Sequence, residues 1–165
     1  TTMPVDEHYY IPDERLYYTD PEVKYSDESE NDLSAESRKT WQYLKGGKKR
    51  LRTSANGHQY VFSEGPISML DEWDKPARTM LTSESSFNRS THIVKDLVTG
   101  RIRLLTPIEA ERIQGFPDDW TKERLMDGKI VEMPEKMRYF CMGNALVVDM
   151  IAIMEKRLSE IFEAE

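Results

Sequence analysis

The chain has 165 residues, of which 32% are charged and 38% hydrophobic, and it carries a net charge of −7. This length suits one ordinary domain, and no apolar run approaches the roughly 18 residues of a membrane span, so no membrane partner is expected. The single cysteine, Cys141, excludes an internal disulfide and favours a reducing cytoplasm. With the three scattered histidines, His8, His58 and His92, it gives no metal-ligand spacing, so no metal is expected.

The charge is distributed unevenly along the chain. Residues 1–36 hold eleven acids and two bases, residues 37–103 hold thirteen bases and six acids, and residues 104–165 hold thirteen acids and eight bases. A basic middle between acidic ends predicts that only the middle meets a polyanion such as DNA. A solvated basic face without a partner is an equal alternative on charge alone.

The first half of the chain predicts a connector followed by short elements. In residues 1–36 tyrosines alternate with acids and prolines, which predicts a loosely ordered acidic connector, with a disordered tail as the alternative. A short helical pattern follows around Trp41 and Leu44 and gives way to a basic loop. Asn56-Gly57 is a tight-turn signal, and after it His58–Ser63 is predicted to form a strand.

The second half begins with strands and leads into a well-marked helix. Further strands are predicted at Arg78–Thr82, Thr91–Lys95 and Arg101–Leu105. Thr106 and Glu109 have the spacing of a capping box, with Pro107 at the first helical position. The helix is predicted to run to about Gln114, because Gly115 can adopt the left-handed conformation that ends helices.

The strongest periodic element lies at the end of the chain. Residues 145–162 carry one apolar face at helical spacing, which predicts a helix packed on a sheet or on another helix. The residues of this face are Val147, Met150, Ile151, Met154, Leu158, Ile161 and Phe162.

Three stretches carry a resemblance to a known family. Arg101–Trp120, RIRLLTPIEAERIQGFPDDW, resembles the ninth motif of DNA (cytosine-5) methyltransferases, and Met137–Met150, MRYFCMGNALVVDM, resembles the tenth. Lys75–Thr82, KPARTMLT, is similar to the end of the family's target recognition domain, whose characteristic dipeptide is here Thr79-Met80. The motifs stand in the family's order, and the resemblance covers roughly residues 38–157.

The resemblance implies an α+β architecture in three parts. Residues 1–36 are the acidic connector, and residues 37–100 form a small, mostly β target-recognition region with short helices. Residues 101–165 carry the ninth and tenth motifs, whose helices complete an α/β, Rossmann-like methyltransferase domain that is absent from this sequence. The apolar face of the last helix is therefore expected to lack its partner when the chain is alone.

The implied function is sequence-specific cytosine methylation within a restriction–modification system. The family attacks cytosine with a Pro-Cys nucleophile, which this sequence lacks, since Cys141 follows Phe140 and is predicted to be a core residue. We therefore expect a C-terminal fragment or small subunit, inactive by itself, that needs the missing catalytic half and double-stranded DNA as partners. The implied location is the cytoplasm, for a protein that is bacterial, archaeal or phage-encoded. A non-catalytic, sequence-specific DNA-binding module is the alternative.

The resemblance places DNA contacts in two polar clusters and in a turn. The first cluster is Lys45, Lys48, Lys49, Arg50 and Arg52, and the second is Arg78, Thr79, Arg89, Ser90 and His92. Both are expected to meet phosphates or base edges, with solvated surface residues as the alternative. Asn56-Gly57 lies where the family often has a loop that enters the gap left by the flipped base, and a plain hairpin turn is the alternative.

The tenth motif implies a contact with the methyl donor. Gly143, Asn144 and Ala145 are expected to begin the last helix and to offer its free amides to S-adenosylmethionine, whose site this chain only partly supplies. Helix capping by Asn144 is the alternative. Arg103, Thr106, Pro107 and Glu109 are assigned structural roles. In the family the arginine of the ninth motif helps to brace the recognition domain. For Arg103, pairing with Glu109 or Asp118 and contact with DNA are equal alternatives.

Overall fold

The computed structural model describes residues 4–17 and 33–163, so most of the predicted acidic connector lies outside the described residues. Its described N-terminal part holds a 3-10 turn at Glu7–Tyr9 and a helical turn, α1, at Asp13–Leu16. A second 3-10 turn, Ser37–Lys39, leads into the short helix α2, Trp41–Lys45. The α2 N-terminus is capped by the Thr40 side chain, which accepts a hydrogen bond from the Tyr43 amide.

The strands form three separate antiparallel pairs. β1, Lys48–Thr53, pairs with β2, Gln59–Glu64; β3, Ile93–Lys95, pairs with β4, Ile102–Leu104; and β5, Glu123–Met126, pairs with β6, Lys129–Glu132. Three helices accompany them: α3, Pro107–Ile113; α4, Glu135–Asn144; and α5, Val148–Glu163. The predicted α+β class is therefore confirmed as a mixture of helices and small antiparallel sheets.

Two apolar clusters on either side of the β3–β4 pair hold these elements together. One joins β3 and β4 to α3 and α4 through six buried residues, namely Met80, Val94, Leu105, Ala110, Tyr139 and Met142. The other joins α1 and α2 to β3 through Leu16, Trp41 and Ile93. Cys141, predicted to be a core residue, is half-buried and packs against the first cluster. Burial of each large side chain stabilises the fold by about 2 kcal/mol.

The N-terminal segment fastens onto the same body. The Ile11 amide donates to the Ile102 carbonyl at 3.0 Å, which extends the edge of β4. Arg101 makes a two-pronged ion pair with Glu7, at 2.6 and 2.9 Å. The Tyr9 hydroxyl donates to the Glu135 carboxylate on α4 at 2.8 Å. The described residues 4–17 therefore connect the β3–β4 pair to the C-terminal helices.

Several sequence predictions need correction. Lys48–Thr53, predicted as a loop, is a strand, because it pairs along its whole length with β2. Arg78–Thr82, predicted as a strand, is irregular, because Arg78 is bound to Asp71 and Met80 turns into the core. The β5–β6 pair and α4 were not predicted at all. The last helix begins at Val148 and not at residue 145, because Ala145 has an extended backbone that ends α4 and residues 145–147 belong to neither helix.

The C-terminal helices bear on the expectation that the chain has no membrane partner. Counted as one stretch of 29 residues, Glu135–Glu163 is long and apolar enough to cross a membrane by length and composition alone. One such stretch is weak evidence, because a helix whose apolar side is covered by protein passes the same test. Every described side chain of α5 is exposed, and the large apolar ones include Met150, Ile151, Ile153, Met154, Leu158, Ile161 and Phe162.

Candidate functional site

The β1–β2 hairpin has two distinct faces, because directly paired residues of an antiparallel ribbon point to the same side. The cationic face carries Lys48, Arg50, Arg52, Tyr60, Phe62 and Glu64, and the outward face carries Lys49, Leu51, Thr53, Gln59, Val61 and Ser63. All six residues of the outward face are exposed, whereas four residues of the cationic face are half-buried. The hairpin therefore turns its cationic face toward the body of the protein and its outward face toward solvent.

Aromatic rings hold the cations of the cationic face. Lys48 lies over the Tyr43 ring at 4.9 Å and donates to the Leu44 carbonyl at 2.9 Å. Arg50 bonds to the Tyr43 hydroxyl, and Arg52 stacks on Phe62 with its guanidinium 3.9 Å from the ring centroid. Of these three, only Arg52 is exposed. The predicted phosphate cluster is therefore divided, with Lys49 and Arg52 available and Lys48 and Arg50 turned inward.

Lys45 was predicted to contact a phosphate, but its side chain is unavailable in this structure because the residue is only 1% exposed. Its Nζ lies 3.8 Å from the Asp71 carboxylate and has no hydrogen-bond partner among residues 4–17 and 33–163. Burial lowers the pKa of the Lys45 ammonium from 10.5 to about 8, and the charge of Asp71 opposes that shift. Asp71 is held mainly by Arg78, so Lys45 is a poorly compensated buried charge.

We expect Lys45→Met to raise the free energy of unfolding at pH 7 by about 1–3 kcal/mol, because an apolar side chain of similar length removes the buried charge. The folded pKa lies below the unfolded value, so the unfolded chain holds more protons between pH 8 and 10.5. Wild-type stability should therefore rise with pH across that window, by up to about 3 kcal/mol. Urea unfolding of both proteins from pH 7 to 10.5 measures this; an equal rise in the variant would contradict the assignment.

The turn between β1 and β2 forms the exposed tip of the hairpin. Gly57 has a φ of +83°, a left-handed conformation that glycine adopts without strain. The Asn56 side-chain oxygen accepts from the His58 amide at 3.2 Å, and the Gly57 amide donates to the Ser54 carbonyl at 2.9 Å. This geometry is that of a plain hairpin turn. It also leaves Asn56 exposed at the point farthest along the hairpin.

The second predicted cluster is mostly structural. Arg78 binds both oxygens of Asp71, at 2.6 and 3.0 Å, and donates to the Ser90 carbonyl at 3.1 Å. Arg89 forms an ion pair with Glu64 at 2.6 Å. These contacts fasten residues 83–91 to the end of β2 and to the segment before Arg78. Thr79 is exposed and Ser90 is half-buried.

His92 is a buried member of the same cluster and does not face solvent. It is 1% exposed, and its Nδ1 lies 3.0 Å from the Glu84 carboxylate, which also accepts from the His92 amide at 2.6 Å. Glu84 is itself 3% exposed. The predicted DNA contact by His92 is therefore wrong in this structure, because the side chain holds the 83–90 loop against β3.

Arg103 makes one of the two ion pairs that were considered for it, the one with Glu109. The side chain is 4% exposed and binds Glu109 through two hydrogen bonds of 2.8 Å and Asp96 through one of 3.0 Å. Glu109 and Thr106 complete the predicted capping box, and Pro107 occupies the first turn of α3. Asp118, the other partner considered for Arg103, pairs with Arg112.

The tenth-motif residues lie at the end of α4 and not at the start of α5. The Ala145 amide donates to the Met142 carbonyl at 3.2 Å, and the Asn144 side chain donates to the Phe140 carbonyl at 2.9 Å. Gly143 packs against the backbone of Leu81–Thr82, with no room for a side chain. The expectation that these residues offer free helix amides is therefore wrong. Asn144 is exposed, whereas Gly143 is packed against backbone and the Ala145 amide is hydrogen-bonded.

Sequence reasoning missed the role of Gln114. The Gln114 side-chain amide donates to the Met142 backbone carbonyl at 3.0 Å, and the Gln114 backbone carbonyl accepts from the Val148 amide at 3.0 Å. One residue thus ties the end of α4 and the start of α5 to the end of α3. A signal was present, because Gln114 lies in the ninth motif, but local sequence does not show which distant backbone groups its side chain contacts.

A buried ion-pair network also escaped sequence reasoning. Glu111 is fully buried on α3 and accepts from the Thr121 amide at 2.9 Å and from Arg138 on α4 at 3.0 Å. It fixes α4 relative to α3. Within the part of the chain that the structure describes, no three His, Cys, Asp or Glu side chains are grouped to hold a metal ion.

Comparison with known proteins shows the family of this chain. The model of the C-5 cytosine-specific DNA methylase family matches residues 4–160. The chain is 54% identical over 121 residues to Type II methyltransferase M.Sau3AI of Staphylococcus aureus, and the match covers 73% of this chain and 27% of that relative. No solved structure is similar at a significant level. The β1–β2 hairpin, the braced α3 and the α4–α5 turn thus lie in a chain that belongs to the C-5 cytosine-specific DNA methylase family.

Proposed function

We propose that this chain supplies the DNA-recognising part of a C-5 cytosine DNA methyltransferase. Residues 37–100 form its target-recognition region, residues 101–165 complete the catalytic domain, and residues 1–36 connect it to the catalytic part. The observation that carries the proposal is the projection of the β1–β2 hairpin from the body that also holds α3, α4 and α5. Such an arrangement attaches a DNA-reading hairpin to the body that carries the ninth and tenth motifs of the family.

The hairpin suits a duplex because it offers positive charge on a narrow ribbon. It carries four cations and one acid, and the major groove of B-DNA admits a two-stranded ribbon. Lys49 and Arg52 are exposed near its two ends and can reach phosphates on either side of a groove. Asn56 at the tip is in a position to enter the space that a flipped cytosine leaves, since its amide can bond to the unpaired guanine.

The catalytic step is assigned to polypeptide that carries a Pro-Cys nucleophile, because this sequence has one cysteine and it follows Phe140. Cys141 packs against the core, so it is unsuited to attack a base. The exposed apolar side chains of α5 are proposed to pack on that catalytic part. By itself the chain is then inactive. An enzyme of this kind works in the cytoplasm, within a restriction–modification system.

The family generally uses S-adenosylmethionine, which supplies the methyl group. In this chain the exposed Asn144 would lie at the edge of the donor site. Gln114 would hold the turn between α4 and α5 in place, because it bonds to both of its sides. The backbone groups of Gly143 and Ala145 are committed to packing and to a helix-end hydrogen bond, so they are not assigned to the donor.

The test is reconstitution of methyl transfer. The chain is mixed with a polypeptide of the same family that carries the Pro-Cys motif but lacks the ninth and tenth motifs, and transfer of labelled methyl groups to duplex DNA is measured. We expect transfer only when both are present. A stable complex that binds DNA but transfers no methyl group would support a DNA-binding module without catalysis and would contradict the proposal.

Lys49→Glu is expected to weaken duplex binding about tenfold at 0.1 M salt, because it reverses the charge of an exposed hairpin cation. The slope of log affinity against log salt should fall by about one, as for the loss of one phosphate contact. Lys129→Glu is the matched control, because Lys129 is an exposed strand lysine of the β5–β6 pair. Equal weakening by both variants in a fluorescence-anisotropy titration would show that net charge alone governs binding.

A further inference from the structure

The centre of the hairpin's outward face is an aliphatic pair. Leu51 and Val61 lie directly opposite each other in the β1–β2 register, and their exposed fractions are 68% and 55%. Polar side chains surround this pair on the same face, with Lys49 and Ser63 on one side and Thr53 and Gln59 on the other. A directly opposed aliphatic pair stabilises an antiparallel ribbon by at most about 1 kcal/mol, and both side chains of this pair remain open to a ligand.

The surroundings of the pair favour nucleic acid over protein. A stable protein interface buries about 800 Å² on each partner around an apolar centre, and two aliphatic side chains framed by four polar ones do not provide that. The floor of the DNA major groove, by contrast, is polar except for the 5-methyl group of thymine. A ribbon face with aliphatic groups in the middle and hydrogen-bonding groups around them matches such a floor.

The orientation of the hairpin also favours contact of its outward face with DNA. Tyr43 on α2 engages Lys48 and Arg50, so the cationic face is turned toward the body at that end. The outward face is the one that a groove can receive. Gln59, next to the pair, has the side-chain amide that can bond both to the N6 amino group and to N7 of adenine.

We propose that the outward face enters the major groove and that Leu51 and Val61 contact the 5-methyl group of a thymine in the recognised site. The recognised site therefore contains at least one A·T pair beneath the middle of the hairpin. This inference rests on the proposed function, since it names a base that the same DNA-reading surface selects.

The experiment removes the methyl group from the DNA. One fragment that the reconstituted enzyme methylates is amplified with dTTP and again with dUTP, which keeps base pairing and loses only the 5-methyl groups. Binding of the chain to both is compared by competition. One buried methyl group corresponds to a change of about fourfold in affinity, so we expect wild type to bind the thymine fragment about 4- to 10-fold more tightly.

The matched variants decide whether the hairpin reads the methyl group. Leu51→Ala/Val61→Ala should bind the thymine fragment more weakly and bind both fragments equally. Leu125→Ala/Ile130→Ala is the control, because these residues form the equivalent exposed cross-strand pair of β5–β6, with exposed fractions of 74% and 72%. It should keep the wild-type preference for thymine.

Two outcomes overturn the inference. In the first, wild type binds both fragments equally. In the second, the Leu51/Val61 variant keeps the full preference for thymine; if that variant also no longer binds the Pro-Cys polypeptide, the pair is a protein contact. If wild type binds neither fragment, the proposed function itself fails, so the two failures are distinguishable.

Discussion

Gly143→Ala is expected to lower the free energy of unfolding by about 3 kcal/mol, the upper end of what overpacking a core typically costs. A Cβ at this position would overlap the Thr82 amide nitrogen and the Leu81 carbonyl carbon, and would lie 2.5 Å from the Thr82 Cα. These are backbone atoms, which cannot move aside by rotating a side chain. Helix α4 would have to shift away from the segment that follows Met80, and the core cluster that Met80 shares with Tyr139 and Met142 would open.

The direction of this effect separates packing from helix propensity. Alanine favours a helix over glycine by about 1 kcal/mol, so an α4 without close neighbours would be stabilised by the substitution. Urea unfolding followed by far-ultraviolet circular dichroism measures the change. Gly65→Ala is the control, because a Cβ there meets nothing within 4 Å, and it should change stability by less than about 0.5 kcal/mol. A neutral or stabilised Gly143→Ala protein would contradict the close approach of α4 to residues 81–82.

Arg103→Met is expected to destabilise the fold by about 3–5 kcal/mol, because it leaves two carboxylates without their partner in a mostly buried site. Asp96 is 6% exposed and Glu109 is half-buried, and Arg103 binds both. Burial raises the pKa of Glu109, but the hydrogen bond from Arg103 and the Thr106 amide outweigh it and hold that pKa below its usual value. Removing the guanidinium should therefore raise the pKa of Glu109.

The loss of folding stability at acidic pH tests the same network of Arg103, Asp96 and Glu109. The hydrogen bond from the Thr99 amide lowers the pKa of Asp96 to about 2. Burial opposes this shift, and the hydrogen bond from Arg103 adds to it. A depressed folded pKa gives stability that is present above the unfolded value near 3.8 and is lost as the pH falls toward 2. We expect wild type to lose stability across that window and Arg103→Met to lose less, as measured by thermal unfolding between pH 5 and 2.

A matched ion pair on the surface provides the control for Arg103. Arg112 binds Asp118 with two short hydrogen bonds, but the two side chains are 40% and 46% exposed. Arg112→Met should therefore cost less than about 1 kcal/mol, since water replaces the lost partner. Equal losses from the two substitutions would show that burial of the Arg103 network is not what makes it strong.

The amino-acid sequence by itself determined the features that depend on local chemistry and on family motifs. The capping box of Thr106 and Glu109, the turn at Asn56-Gly57 and the amphipathic last helix were predicted, because neighbouring residues determine caps, turns and helical faces. The pairing of Arg103 with Glu109 was one of the alternatives that the sequence offered for this residue. Membership of the methylase family, which the comparisons show, was already indicated by the ninth and tenth motifs together.

Only the tertiary structure decided which polar residues are available to a ligand. Lys45 and His92 are polar residues that were predicted to lie at the surface, yet both are buried, because elements distant in the sequence pack over them. The run Lys48–Thr53 has too many cations to indicate a strand, and its strand character comes from pairing with β2. The two faces of that hairpin follow from the register, and the contact of Tyr43 with Arg50 determines which face turns inward. Long-range packing of this kind has no signal in local sequence.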